Sequence, residues 1–191
     1  NFAVVYGSGP ANIADMLSAQ GSPTTTEQAV EMLEKYYSGF PNLRAWMDRR
    51  VADGREQHFV KTPFGRKFTV WEYKDHREWI QKKGDRMCVN APIQGGAADY
   101  LKIGMNRVRK AIRKAGLTDK IRLVMTVHDA LEFYIHKSVD TQTVIDLISP
   151  CVAFPFKGLP EIRADWHEGT RWGLVVELEL DKDGKISGYG W

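Results

Sequence analysis

Val124-Met125-Thr126-Val127-His128-Asp129-Ala130-Leu131-Glu132-Phe133-Tyr134-Ile135 is an apolar run broken once near its middle, by a His-Asp pair. Val, Ile, Phe and Tyr favour strands, so the stretch reads as two strands, Ile121 to Val127 and Ala130 to Ile135, with His128 and Asp129 at a tight turn. Strands hold a turn carboxylate rigidly while the turn itself surfaces, where the carboxylate can reach a ligand. Asp also occupies hairpin turns for conformational reasons alone. These twelve residues leave a site and a plain turn equally open.

The chain has 191 residues, enough for one large domain or two small ones, and its 43% apolar content can build a core. A net charge of +3 does not by itself point to nucleic acid. The distribution says more. Lys102, Arg107, Arg109, Lys110, Arg113, Lys114, Lys120 and Arg122 fall in one stretch in which Asp119 is the sole acid. Such a run is either a solvated helix face or a phosphate-facing stripe. Cys88 and Cys151 are far apart and have no C-x-x-C partner, which argues against a disulfide scaffold or zinc site and fits a reducing compartment. Without a signal peptide or a span of about 18 apolar residues, the expectation is a soluble, cytoplasmic protein with no membrane partner.

Outward from the hairpin, Asn1 to Gly7 reads as the tail of a helix or a strand ahead of a Gly-Ser-Gly-Pro break. If it is helical, Phe2 and Tyr6 share a face. Pro10 and Pro41 can each open a helix, the first running to about Gln20 and the second ending at Gly54. Thr24-x-x-Glu27 has capping-box spacing for a helix between them. Gln57 to Thr62 and Arg66 to Trp71 read as a hairpin around Pro63-Phe64-Gly65. Trp71 to Lys83 interleaves aromatic and basic residues, which suits a nucleic-acid surface or an ordinary amphipathic segment. A helix is expected from about Asp85 to Lys114, kinked or broken at Pro92. On it Arg86, Asn90 and Gln94 are four apart; each step drifts only about 40°, so the three polar heads line one stripe. Forked donors and acceptors in a row suit the sugars and base edges of a minor groove, or simply a water-facing stripe. Gly95 to Ala98 leave room for close backbone approach. After the hairpin, Ser138 or Asp140 can cap a helix. Strands are expected at Glu161 to Asp165 and Trp172 to Leu180, with a turn at Asp181-Lys182-Asp183-Gly184 and a short return at Lys185 to Tyr189. No nucleophile triad or phosphate loop is present.

Three stretches now stand in one order. Asn1-Phe2-x-x-x-Tyr6-Gly7 resembles the end of the nucleotide-binding fingers helix of family A DNA polymerases. Arg86-x-x-x-Asn90-x-Pro92-x-Gln94-Gly95-x-Ala97-Ala98-Asp99 resembles that family's primer–template helix, and Val127-His128-Asp129 its palm carboxylate motif. Phe40-Pro41 and Thr62-x-Phe64-Gly65-Arg66 also match in type and order, and the likeness runs to about Trp166.

The resemblance implies an α+β fold: a helical distal fingers portion over residues 1–84, then a palm portion over residues 85–191 with an antiparallel sheet, flanking helices and a C-terminal extension. It implies template-directed addition of dNTPs to a primer 3′-hydroxyl with two Mg2+ ions. Asp129 matches the palm metal ligand and His128 a residue near the primer terminus. Arg86, Asn90 and Gln94 match primer–template contacts. Phe2 matches the residue packed on the incoming nucleotide's sugar, and Tyr6 the aromatic beside the templating base. The family's second metal-binding Asp, its thumb and its phosphate-gripping fingers cations would precede Asn1. The expectation is therefore one carboxylate for two ions, with a partner chain or segment carrying the thumb and first palm motif. Ala130 stands where the family usually has Glu. A single-subunit RNA polymerase fragment and a non-catalytic nucleic-acid-binding module are the alternatives.

Overall fold

The computed structural model describes residues 2–190, the side chains of Phe2 and Val5 excepted. The fold is α+β. Two compact units divide the chain, Asn1–Gly96 and Ala97–Trp191. The border falls inside one long helix.

The first unit opens with α1 (Phe2–Val5), α2 (Pro10–Ala19), α3 (Thr26–Gly39) and α4 (Pro41–Gln57). Pro10 and Pro41 stand in the first turns of α2 and α4, where a missing N–H costs nothing. The capping box of α3 lies one residue beyond the expected one. Thr25 Oγ1 accepts from the Gln28 N–H and Gln28 Oε1 from the Thr25 N–H, at 3.3 and 2.9 Å. Thr24 instead donates to the Ser22 carbonyl. Three consecutive threonines offer two capping registers, and T-x-x-Q wins over T-x-x-E. Gly54 does not end α4. The helix continues to Gln57 and stops at His58, which takes the left-handed conformation at φ 58°. Gly54 serves packing: a Cβ there would run into Cys88 Sγ, so its absence lets α4 lie close to the long helix.

The short hairpin β1 (Phe59–Lys61) and β2 (Lys67–Thr69) is as expected in place and shorter in extent, and a 3-10 turn at Trp71–Lys74 follows. The helix α5 (Glu78–Lys114) starts seven residues earlier than its expected Asp85. It is neither broken nor ended by Pro92, which removes one ladder bond while the turns on either side carry on. Val60, Val70 and Cys88 form the core under the hairpin, with Val51, Phe68, Tyr73 and Ala91 against it. A separate cluster of Ile13, Ala14 and Ala29 joins α2 to α3.

In the second unit β3 (Ile121–Val127) and β4 (Ala130–Ile135) have the expected bounds. Then come α6 (Thr141–Val152), capped by Asp140, and an antiparallel sheet of β5 (Trp166–Arg171), β6 (Leu174–Leu180) and β7 (Ile186–Tyr189). Glu161 to Asp165 is irregular, not a strand: pairing with β6 begins only at Trp166 opposite Leu178. The core is Val108, Ile112, Ile121, Val144, Ile148 and Cys151, drawn from α5, β3 and α6. Tyr100 and Phe154 stack at 4.1 Å, and the Tyr100 hydroxyl bonds both the carbonyl and the N–H of Phe154. Gln142 accepts from the Ile186 N–H and donates to the Gly184 carbonyl, tying the C-terminal sheet to α6. Among the described residues no helix is long and apolar enough to cross a membrane.

Candidate functional site

In the second unit, Ile121 is 2% exposed at the base of the β3–β4 hairpin, so the ribbon is rooted in the core while its tip is solvated. Val127 pairs with Ala130, leaving a loop of two residues, His128 and Asp129, both exposed. His128 has φ 55°, a left-handed conformation that a side chain makes costly. The pairing steps from Leu123–Phe133 to Met125–Glu132, so Val124 is an extra, bulged residue that increases the local twist. The alternation pattern gave no sign of it. Glu132 lies opposite Met125 and is half-buried.

In the first unit, Arg86 and Gln94 are exposed on α5 and Asn90 is half-buried between them. Three segments grip this part of the helix. Asn90 Nδ2 donates to the Tyr6 carbonyl at 3.5 Å, and the Arg86 stem lies against Gly7, which has φ 75°. Asn90 Oδ1 is buried with no hydrogen-bond partner among the described residues, a costly state for an amide oxygen. From the other side, Arg66 Nη2 donates to the Gly95 carbonyl at 3.0 Å with its guanidinium over the Phe68 ring. A Cβ on Gly95 would meet that ring at 2.6 Å, which accounts for the small residue. The third grip is on the side of α4. Arg55 forms a two-pronged bond to Asp85, next to Arg86, and the Tyr73 hydroxyl donates to the same carboxylate at 2.8 Å and touches Cys88 Sγ at 3.2 Å. Burial pushes both the Tyr73 hydroxyl and the Cys88 thiol above their ordinary values. The sequence reading missed this brace; an acid directly before Arg86, with aromatic and basic residues upstream, was its only local sign.

The structure thus brings Tyr6 to the Arg86–Asn90–Gln94 row. Phe2 lies in α1, but its side chain, like all of Asn1, is outside the described residues. His128 and Asp129 belong to the other unit. Among the described residues no three His, Cys, Asp or Glu side chains gather as a metal site. Asp129 offers one carboxylate. A pair of divalent ions about 3.5–4 Å apart needs more, so the donors present fit one ligand of such a site and not the whole of it.

The model of DNA polymerase family A matches residues 1–173. DNA polymerase I of Rhizobium leguminosarum is 33% identical over 187 residues, which are 98% of this chain and 16% of that protein. The thermostable DNA polymerase I of Thermus thermophilus is 32% identical over 131 residues, 69% of this chain and 15% of the relative. The chain therefore spans about one sixth of the length of these relatives. The POL domain of Pol1 from M. smegmatis, solved in complex with DNA primer-template and dNTP, superposes with a TM-score of 0.73 at 28% identity, covering 81% of this chain and 26% of that one. Matched over nearly its whole length by the family model, and similar in fold to a polymerase domain, this chain belongs to DNA polymerase family A.

Proposed function

We propose that the chain supplies the primer–template helix and one palm carboxylate of a DNA-directed DNA polymerase. The observation that carries this reading is the Arg86–Asn90–Gln94 row, with two exposed heads and a central Asn bonded to the Tyr6 carbonyl. A family polymerase needs such a row close to the end of its fingers helix. In this reading Arg86 and Gln94 hold the primer–template and Asn90 fixes their spacing to the fingers. Tyr6 stands beside the templating base, Phe2 packs on the dNTP sugar, and His128 lies near the primer terminus. Asp129 is one Mg2+ ligand. The metal ions, when bound, lower the pKa of the primer hydroxyl and neutralise charge on the phosphates.

Because one carboxylate does not complete a two-ion site, catalysis requires a second palm Asp and a thumb from outside these residues, in a partner chain or a further segment. Residues 1–84 then act as distal fingers and residues 85–191 as palm, in the cytosol. The test is primer extension with Mg2+ after the chain is combined with a segment carrying those parts. Asp129→Ala should lower the rate roughly 10³-fold, the scale seen when a charge-stabilising group is removed, and leave primer–template binding nearly intact. Unimpaired extension by Asp129→Ala would refute its role, extension by the chain alone would refute the need for a partner, and preference for rNTPs would favour an RNA polymerase.

A further inference from the structure

Some cations are paired with acids, in the second unit Lys185 with Asp146 and Arg163 with Glu161, whereas one run is not. In the first unit Arg44, Arg50, Arg55, Arg77, Lys82 and Lys83 are each paired with an acid. In the second, the side chains of Lys102, Arg109, Lys110, Arg113, Lys114, Lys120 and Arg122 are all exposed, and none makes an ion pair or hydrogen bond among the described residues. Arg107 is the exception in the run, turned onto the Phe154 ring and the Pro150 carbonyl.

On α5, at 100° per residue, Lys102, Asn106, Arg109 and Arg113 fall within about 60°, and Lys110 and Lys114 widen the arc. Val108 and Ile112, buried in the core, occupy the opposite side. The stripe is about 18 Å long at 1.5 Å per residue. Arg109 with Arg113 and Lys110 with Lys114 are like-charge pairs four residues apart, an arrangement that weakens a free helix. The helix dipole favours only the last turn, where Arg113 and Lys114 stand; it does not account for Lys102, Arg109 or Lys110. An acid at any of these places would have relieved the repulsion, and there is none.

We propose that this face is a second nucleic-acid contact that grips the sugar-phosphate backbone of duplex DNA. The charge pattern selects the partner. Duplex DNA presents a dense, regular row of phosphates, about one charge per 1.7 Å of axis. A protein partner would want aromatic or aliphatic anchors, in which interface centres are rich and Lys poor. The exposed residues of the arc are only Lys, Arg and Asn; Ile103, which also falls within it, is half-buried. Contacts of this kind position DNA without reading its sequence. They are separate from the Arg86–Asn90–Gln94 row and do not depend on the polymerase reading.

The experiment measures binding of the full chain to a short blunt-ended duplex, which has no primer terminus, across a range of salt. The paired substitutions Arg109→Gln/Arg113→Gln and Lys110→Gln/Lys114→Gln each remove two charges and keep good helix formers. Each pair should make the plot of log affinity against log salt shallower by about 0.9 per lost contact and weaken binding roughly tenfold or more near 0.1 M salt. Their melting temperatures should equal or exceed that of the unsubstituted chain, because the repulsion is gone. The single substitution Lys182→Gln, an exposed lysine in the turn before β7 and outside both the stripe and the candidate site, should leave the salt slope unchanged, and the duplex has no primer terminus, so failure of the polymerase reading would not resemble failure of this one. Unchanged affinity and slope in folded variants overturn the proposal. So does tighter binding of polyglutamate than of duplex, with the variants losing only the former, which assigns the face to an acidic protein. If a pair fails to fold, Arg109→Lys/Arg113→Lys and the single Lys102→Gln are read instead: the first should keep the slope and the second should reduce it, and the reverse overturns the proposal.

Discussion

Arg86, Asn90 and Gln94 rise from a helix gripped by three other segments, whereas His128 and Asp129 end a two-stranded ribbon whose tip touches little. The row is positioned by packing. Gly54 and Gly95 clear space, Asn90 reaches the Tyr6 carbonyl, and Asp85 is pinned by Arg55 and Tyr73. The tip is positioned by backbone alone, through strand register, a two-residue loop and a left-handed His128. A groove contact needs several heads held at fixed spacing. A metal-binding carboxylate needs free lone pairs and an approach path, which a packed neighbour would block.

Breaking the packed side should have the largest effect. Gly54→Val places atoms where Cys88 Sγ already lies, so thermal or denaturant unfolding should show a loss of about 3 kcal/mol, the upper end of overpacking costs. Primer–template binding should weaken with it as α5 shifts. An unchanged melting curve would mean that α4 is not held this close. His128→Gly tests the tip in the opposite sense. Relieving a left-handed non-glycine residue should stabilise the hairpin by about 1 kcal/mol while reducing extension by the assembled polymerase. A loss of stability would show that the His128 side chain makes contacts that compensate for its φ.

The smallest effect is graded and belongs to the row alone. Tyr73 and Cys88, with ordinary values of 10.0 and 9.0, are pushed up in the folded chain, chiefly by burial. The folded state then keeps protons that the unfolded chain gives up. Their contribution to stability is whole below about pH 9 and declines as pH rises from there toward the folded values. Melting temperature should fall on the alkaline side, and less steeply in Tyr73→Phe. An equally steep decline in that variant would place the titration elsewhere.

Much of the fold was legible because local chemistry settled it. The bounds of β3 and β4 were read to the residue, since the largely apolar run is broken by a turn pair only at His128-Asp129, but the bulge at Val124 was not. Pro10 and Pro41 marked helix starts correctly, and of the two candidates Ser138 and Asp140 it is Asp140 that caps α6. Errors arose where a residue serves a distant partner. Gly54 read as a helix end because its reason for being small, Cys88, lies more than thirty residues away. Asn90 showed its stripe but not its bond to Tyr6, across 84 positions. Glu161 to Asp165 alternates charged and apolar residues as a strand does but has no neighbour to pair with. At the site, residue types were readable from sequence, and the brace of Arg55, Tyr73 and Asp85 was not.

Val124 gives the hairpin a constraint of length. Deleting it would let β3 and β4 pair without interruption, and the extra twist between the rooted base and the tip would vanish. Inserting one residue beside His128 would put the loop out of register with Val127 and Ala130 and turn the following side chains to the other face. The direction in which Asp129 points is thus set by how many residues precede and form the turn. Many substitutions along this ribbon should be tolerated, while single insertions and deletions should not.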